Sequence, residues 1–256
     1  MTPDWVGAIL FGLLGAIVGS FLNVCIHRLP KYESVVRPAS RCPACGRSIR
    51  WFENIPVVSW VALRARCAGC GSRISAMYPA VELTTAVTFA AGYLVFGVTP
   101  LLPVRLVFAS ALIVLAVTDL RERLLPNAIT YPGVVAGLLC SAFLPPGLKD
   151  ALLGVIVGAG VPFLVGEAFY RLRGIEGLGM GDVKMLGMIG AFLGWQLALF
   201  TLFAASLLGV LVGVPMTFIR RDRYYQIPLG TFLALGALVA AFAGEAIVEW
   251  YAGFYR

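Results

Sequence analysis

Two aspartates stand where an apolar chain has little use for them. Asp182 lies in Gly179-Met180-Gly181-Asp182-Val183-Lys184, between an apolar span ending near Tyr170 and another beginning near Met185. Asp119 ends an earlier apolar run, Val104 to Thr118. Two carboxylates brought together cannot both ionise cheaply, so they share a proton. One then acts as general base on a water, and the other, protonated, as general acid toward a carbonyl and its leaving amine. The pair is expected to form an aspartyl protease dyad at a membrane face. Burial at a lipid boundary disfavours the charged carboxylate, so such a site is expected to work nearer neutral pH than soluble aspartic proteases. Taken singly, each acid has a plainer reading: a solvated helix end for Asp119, an N-cap for Asp182. Gly179 and Gly181 sharpen the second case. They leave room for close backbone approach and unusual dihedrals, which suits a substrate strand or a second helix beside the carboxylate. Lys184 either tunes the charge of Asp182 or faces the anionic lipid surface.

The second chemical signal is sulfur. Cys42-Pro43-Ala44-Cys45-Gly46 and Cys67-Ala68-Gly69-Cys70-Gly71 are two Cys-x-x-Cys knuckles, each followed by glycine and separated by 21 residues. Four thiolates at this spacing predict one tetrahedral zinc ion. A closed S4 sphere leaves no open position, so the predicted role is structural, and a small loop without a large core would gain its fold from the metal. Two disulfides are the alternative; a cytoplasmic location, argued below, disfavours them. Cys25 and Cys140 lie in apolar spans and read as small buried hydrophobes.

The elements that must position these groups follow from composition. Of 256 residues 60% are hydrophobic and only 13% charged, with a mean hydropathy of +0.89. A soluble domain carries about 25% charged residues, so this chain is expected to be an all-α polytopic membrane protein. Apolar runs that are continuous rather than alternating argue against a transmembrane β-barrel. The first run lacks a basic start and reads as a retained membrane helix rather than a cleaved signal.

About eight spans are expected: Trp5 to Ile26, Val81 to Val98, Leu101 to Thr118, Ala128 to Leu144, Ala151 to Tyr170, a short helix and a longer one dividing Lys184 to Ile219 near Gly194-Trp195-Gln196, and Ile227 to Trp250. Trp250, Tyr251 and Tyr255 serve as interfacial anchors. Small residues in the first span (Gly7, Gly12, Gly15, Gly19) predict close helix packing.

The long polar segment, His27 to Pro79, holds nine Lys or Arg against Glu33 and Glu53. With that loop in the cytoplasm, Arg121, Arg123, Arg171, Arg173, Lys184, Arg220, Arg221 and Arg223 fall on the same side, and only Arg105, Lys149 and Arg256 on the other. This asymmetry fits the positive-inside rule and accounts for the net charge of +7 without nucleic acid. Two spans separate Asp119 from the fifth loop, so both acids reach the cytoplasmic face. Among the other acids, Glu82 and Glu167 are candidates for a substrate pocket or for helix-end solvation, and Glu245 and Glu249 lie near the last span. A single histidine, His27, rules out multi-histidine metal catalysis, and no nucleotide-binding glycine fingerprint is present.

These motifs together resemble the type IV prepilin peptidases, over nearly the whole chain. Gly19-Ser20-Phe21-Leu22-Asn23-Val24 through Arg28-Leu29-Pro30 resembles the opening motif of that family. The paired knuckles follow, with Asn54-Ile55-Pro56-Val57-Val58-Ser59-Trp60 between them. Asp119 precedes Leu125-Pro126, Gly179 to Asp182 matches a Gly-x-Gly-Asp signature, and Ile227-Pro228-Leu229-Gly230 with Phe232 to Gly236 resembles the closing motif. The resemblance implies an aspartic endopeptidase of the bacterial inner membrane. Asp119 and Asp182 would be its catalytic pair, and Cys42, Cys45, Cys67 and Cys70 its metal site. It implies substrates among prepilins and pseudopilins with a basic leader, a cleavage site after glycine and an apolar helix beyond.

Similar enzymes then N-methylate the new terminus with S-adenosylmethionine. This divides the chain into residues 1–80, with the first span and the methyltransferase-associated zinc loop, and residues 81–256, the peptidase helices. Asn127 departs from relatives that carry a further Asp there, which favours Asp119 as the catalytic member. The substrate's own physics agrees: a basic leader stays cytoplasmic while the pilin helix enters the bilayer, putting the scissile bond at the interface. Other readings are a membrane protease without methylation, a proton-coupled transporter using the two acids as a relay, and a zinc-ribbon adaptor in which the acids only cap helices. No internal repeat supports the transporter.

Overall fold

The computed structural model describes residues 4–174, 178–220 and 228–253. Arg221, Arg223, Ile227, Tyr255 and Arg256 lie outside it, as do the side chains of Arg220, Glu245, Glu249, Trp250 and Tyr251. Nine α-helices are described: α1 Trp5–Arg28, α2 Val58–Ala62, α3 Met77–Phe96, α4 Leu101–Glu122, α5 Asn127–Ser141, α6 Leu148–Arg173, α7 Met180–Leu193, α8 Trp195–Arg220 and α9 Leu229–Gly253. Apart from α2, they fall where eight spans were expected. Among the described residues α1, α3, α4, α6 and α8 are long and apolar enough to cross a membrane. The chain is thus all-helical and multi-pass, with the four-cysteine loop between α1 and α3.

The boundaries that differ have local causes. Helix α4 does not stop at Thr118. It continues to Glu122, and Arg123 ends it in the left-handed region at φ +53, a common way to close a helix. Asp119 is therefore inside the last turn. The break between α7 and α8 lies at Gly194, whose φ of +81 is accessible to glycine at little cost.

The contacts divide the chain into two compact units, Met1–Val114 and Leu115–Arg256. In the first, α1 packs along α3. A Cβ at Gly15 would sit 2.7 Å from the Thr85 carbonyl oxygen, and one at Gly19 2.7 Å from Glu82 Cα, whereas Gly12 has room. Gly7 is covered by the ring of Tyr93. Three of the four glycines thus let the helices touch, as small residues do in lipid, where packing replaces the hydrophobic drive. Phe89, Leu102 and Leu106 form an apolar cluster with Phe11 and Val18 against it.

In the second unit the short helix α7 is the centre. Residues Met185 to Leu193 are all buried, with α5, α6, α8 and α9 packed around them. Gly154 of α6 crosses Gly190 of α7 so closely that a Cβ on either would overlap the other's backbone carbonyl. Ser141 ties α5 to the same helix by donating to the Ala191 carbonyl at 2.9 Å. Gly190→Val is expected to destabilise this unit by about 3 kcal/mol or more, since backbone rather than a pliable side chain must move. Thermal unfolding in detergent checks it; an unchanged midpoint would mean that the crossing is looser than described.

Candidate active site and metal centre

Asp119 is 6% exposed. Its Oδ2 accepts from the backbone N–H of Thr231 at 2.8 Å and lies 3.2 Å from the Thr231 hydroxyl, which also reaches the Ala116 carbonyl at 3.1 Å. Thr231 stands in the first turn of α9, and the preceding Gly230 makes this approach possible: a Cβ there would be 3.0 Å from Asp119 Cγ. An acid in an apolar helix is thus satisfied from an opposing helix start, where backbone N–H groups lack intrahelical partners.

Asp182 lies in the first turn of α7, where the cap is Gly179. The N-cap reading of Asp182 is corrected accordingly. The two glycines work through space rather than through unusual dihedrals. Gly179 is extended at φ −71; a Cβ on it would be 3.2 Å from Asp182 Oδ2, and a Cβ on Gly181 would be 3.2 Å from the Leu125 side chain. Leu125 also lies against Gly230, at 3.1 Å from a Cβ built there. One leucine therefore touches the glycine motif before Asp182 and the glycine that covers Asp119. The two carboxylates converge near enough for the charge of Asp119 to act on Asp182.

Lys184 finds its partners on α5 rather than in Asp182. Its Nζ donates to Asn127 Oδ1 at 3.1 Å and lies 5.1 Å from the centre of the Tyr131 ring, so it fastens the start of α5 to α7. Thr231 and Asn127 are contributors that sequence reasoning passed over or discounted. A hydroxyl between Gly230 and Phe232 in an apolar span was the available signal. Glu167 pairs with Arg171 at 2.7 Å on the surface of α6, so it is a local helix pair. Glu82 is buried rather than solvated and accepts from the Val57 N–H at 2.7 Å.

In the first unit the two cysteine knuckles repeat one geometry. Cys42 N donates to Arg47 O at 2.9 Å and Gly46 N to Cys42 O at 2.9 Å; Cys67 N donates to Ser72 O at 2.8 Å and Gly71 N to Cys67 O at 2.9 Å. Gly46 and Gly71 have φ of +71 and +70, so glycine is required for the chain to turn under the sulfurs. Isolated bridges, Arg41 to Ser48 and Arg66 to Arg73, close each knuckle. The four Sγ atoms lie within 4.8 Å of one another. Tetrahedral zinc with Zn–S of about 2.3 Å needs sulfurs about 3.8 Å apart, and Cys42 and Cys70 stand at 3.9 Å, so the donor set fits one such ion. Backbone N–H groups of Cys45 and Ala44 hold the Cys42 thiol down to about 6, readying it as thiolate. Arg47 joins the halves: its guanidinium pairs with Glu53 at 2.6 Å, and its stem lies under Gly69.

Comparison with known proteins places these units. The family described as bacterial peptidase A24 N-terminal domain matches residues 13–96, and the type IV leader peptidase family matches residues 106–214. The chain is 45% identical over 212 residues to a prepilin leader peptidase/N-methyltransferase of Myxococcus xanthus, covering 82% of this chain and 63% of that protein. It is 36% identical over 269 residues to the protein of that name in Pseudomonas aeruginosa, covering 94% and 92%. The Aeromonas hydrophila protein of that name is also 36% identical, over 96% of this chain and 94% of its own. No solved structure matches the chain significantly. With matches of this identity running through both units, the chain belongs to the type IV leader peptidase family.

Proposed function

We propose that this protein cleaves the basic leader from type IV prepilins and pseudopilins and then N-methylates the new terminus. The observation that carries the cleavage reading is the convergence of Asp119 and Asp182 beside Leu125. Asp119 accepts the hydrogen bonds of Thr231, which favour its anion, so it is the base that takes a proton from water. Asp182 holds the shared proton and gives it to the carbonyl oxygen. The water oxygen bonds to the carbonyl carbon; as the carbon–nitrogen bond breaks, the proton gained by Asp119 goes to the leaving amine and the hydroxyl formed on the carbonyl oxygen returns its proton to Asp182. Gly179 and Gly181 keep side chains away from this spot and so leave space for an extended substrate, and Lys184 with Asn127 fixes the helix carrying Asp182.

The active site lies at the cytoplasmic face of the bacterial inner membrane, as the distribution of Lys and Arg implies. There the charged leader stays in water while the apolar pilin helix sits in lipid. Cys42, Cys45, Cys67 and Cys70 hold one structural zinc ion, which would supply the cross-link that fixes the loop. Residues 1–80 serve methylation, with S-adenosylmethionine as donor, and residues 81–256 serve cleavage.

Purified protein incubated with a prepilin and S-adenosylmethionine should yield free leader and a mature pilin heavier by one methylene, read by mass spectrometry. Intact prepilin would refute the reading. Thr231→Val removes the hydroxyl but keeps the backbone N–H, and is expected to lower cleavage by roughly tenfold, the loss of one hydrogen bond to a charged group. An unchanged rate would remove the Thr231 hydroxyl from the account.

A further inference from the structure

A groove of about 510 Å³ opens within the first unit, between α1 and the loop. Ser20, Phe21 and Arg28 line it from α1, and Trp51, Asn54 and Pro56 from the loop. Its size is that of a small-molecule site, and three features of its walls point to a ligand.

The first is strain. Val57, next to Pro56, has φ +61 and ψ −49, a conformation that a β-branched residue adopts only under constraint. The Val58 N–H reaches back to the Pro56 carbonyl at 2.6 Å, which makes a γ-turn of the strained kind. The constraint is Glu82 of α3, 8% exposed, whose carboxylate accepts the Val57 N–H at 2.7 Å. A buried carboxylate on a membrane helix thus holds the residue next to the Pro56 wall in a strained conformation. Strained backbone of this sort gathers at ligand clamps. The second feature is Trp51, an aromatic side chain that stays 82% exposed while its ring meets that of Phe52 edge to face at 5.7 Å. The third is Arg28, whose guanidinium is fixed by donating to the carbonyls of Ser34 at 2.9 Å and Pro38 at 2.8 Å. Three of its five N–H donors remain for an anion.

We propose that this groove is the methyl-donor site and takes S-adenosylmethionine. The inference rests on the reading that the chain N-methylates its product. A small ligand with a cationic sulfur, a carboxylate and an aromatic base matches these walls. The sulfonium is attracted to the Trp51 ring as other cations are to aromatic faces, and the carboxylate meets Arg28. Glu82 is a positioning residue that acts through Val57. In the transfer, the lone pair of the free terminal amine forms a nitrogen–carbon bond as the sulfur–carbon bond breaks. S-adenosylhomocysteine leaves, and the nitrogen releases a proton to solvent.

Equilibrium dialysis of the full-length protein in detergent against radiolabelled S-adenosylmethionine tests this without any prepilin. Saturable binding to the unaltered protein is expected, weakened at least tenfold by Trp51→Ala and by Arg28→Ala. Glu82→Ala should weaken it similarly, while Glu82→Gln, whose amide oxygen still accepts the Val57 N–H, should restore it. Leader cleavage, followed in parallel, reports on the proposed peptidase separately. Binding that is undiminished in both Trp51→Ala and Arg28→Ala overturns the proposal. So does unaltered nucleoside binding in Trp51→Ala combined with a raised KM for prepilin cleavage, which would give the groove to the peptide. A protein that cleaves prepilin yet binds no S-adenosylmethionine overturns the proposal and the methylation reading while leaving the cleavage reading standing.

Discussion

Asp119→Asn and Asp182→Asn should each lower prepilin cleavage by roughly 10³- to 10⁴-fold while leaving the helices intact. Asparagine keeps the size of the side chain and, at position 119, an oxygen able to accept the Thr231 N–H that Asp119 now receives at 2.8 Å. It cannot carry the proton from water to the leaving amine. The expected loss is therefore in kcat, with KM little changed, because in the proposed mechanism the carboxylates act on the reacting atoms. Circular dichroism and elution as a sharp species in detergent establish folding for each variant. A folded Asp182→Asn protein that cleaves at a near-native rate would reduce Asp182 to a first-turn helix residue and reopen the adaptor reading.

The second large effect belongs to the cysteines. Native protein is expected to carry one zinc ion per chain, and Cys67→Ser to carry almost none. Apparent binding energies of structural zinc are about 10 kcal/mol or more, and where no preformed site exists that energy is folding energy. Apart from the metal, the knuckles rest on backbone hydrogen bonds and little burial. Of the loop's four cysteines only Cys42 is buried, and the one ion pair described there is Arg47 with Glu53. Losing the metal should therefore expose the arginine-rich loop to trypsin at Arg41, Arg47, Arg64, Arg66 and Arg73. Mass spectrometry of the metal and of the tryptic fragments provides the check. A native chain without metal, or a Cys67→Ser variant as resistant as the parent, would show that the knuckles stand on their own hydrogen bonds.

Much of this architecture could be read from the chain because its signals are local. Continuous apolar runs give helices, Gly194 with its positive φ gives the break between α7 and α8, and two Cys-x-x-Cys-Gly knuckles give matching turns. The helix ends were less legible. Apolarity stops at Thr118, but the backbone ladder does not, since Arg123 N still donates to Asp119 O at 2.9 Å. Hydropathy reports where lipid ends, not where hydrogen bonding does.

Least legible were the contacts that complete the site, because they join positions distant in sequence. Nothing near Asp119 announces that Thr231 will donate to it. Nothing near Lys184 announces Asn127, which reads as the loss of an acid and proves to accept a hydrogen bond. Glu82 illustrates the same limit in the first unit: from sequence it is an acid at a helix end, and in the fold it is buried and pins the strained Val57. Gly179 and Gly181 were legible as important residues, but for a partly mistaken reason. Their value is the space they leave beside Asp182 and Leu125, not left-handed backbone.

The most direct test of the central claim, that two carboxylates sharing one proton perform the cleavage, compares the two single Asp→Asn variants with the double variant under single-turnover conditions. Groups that act as a unit lose their whole effect when either is removed. The double variant is therefore predicted to cleave no more slowly than the worse single variant. If the losses instead multiply, or if one single variant retains most of the native rate, Asp119 and Asp182 act independently and the shared-proton account is wrong.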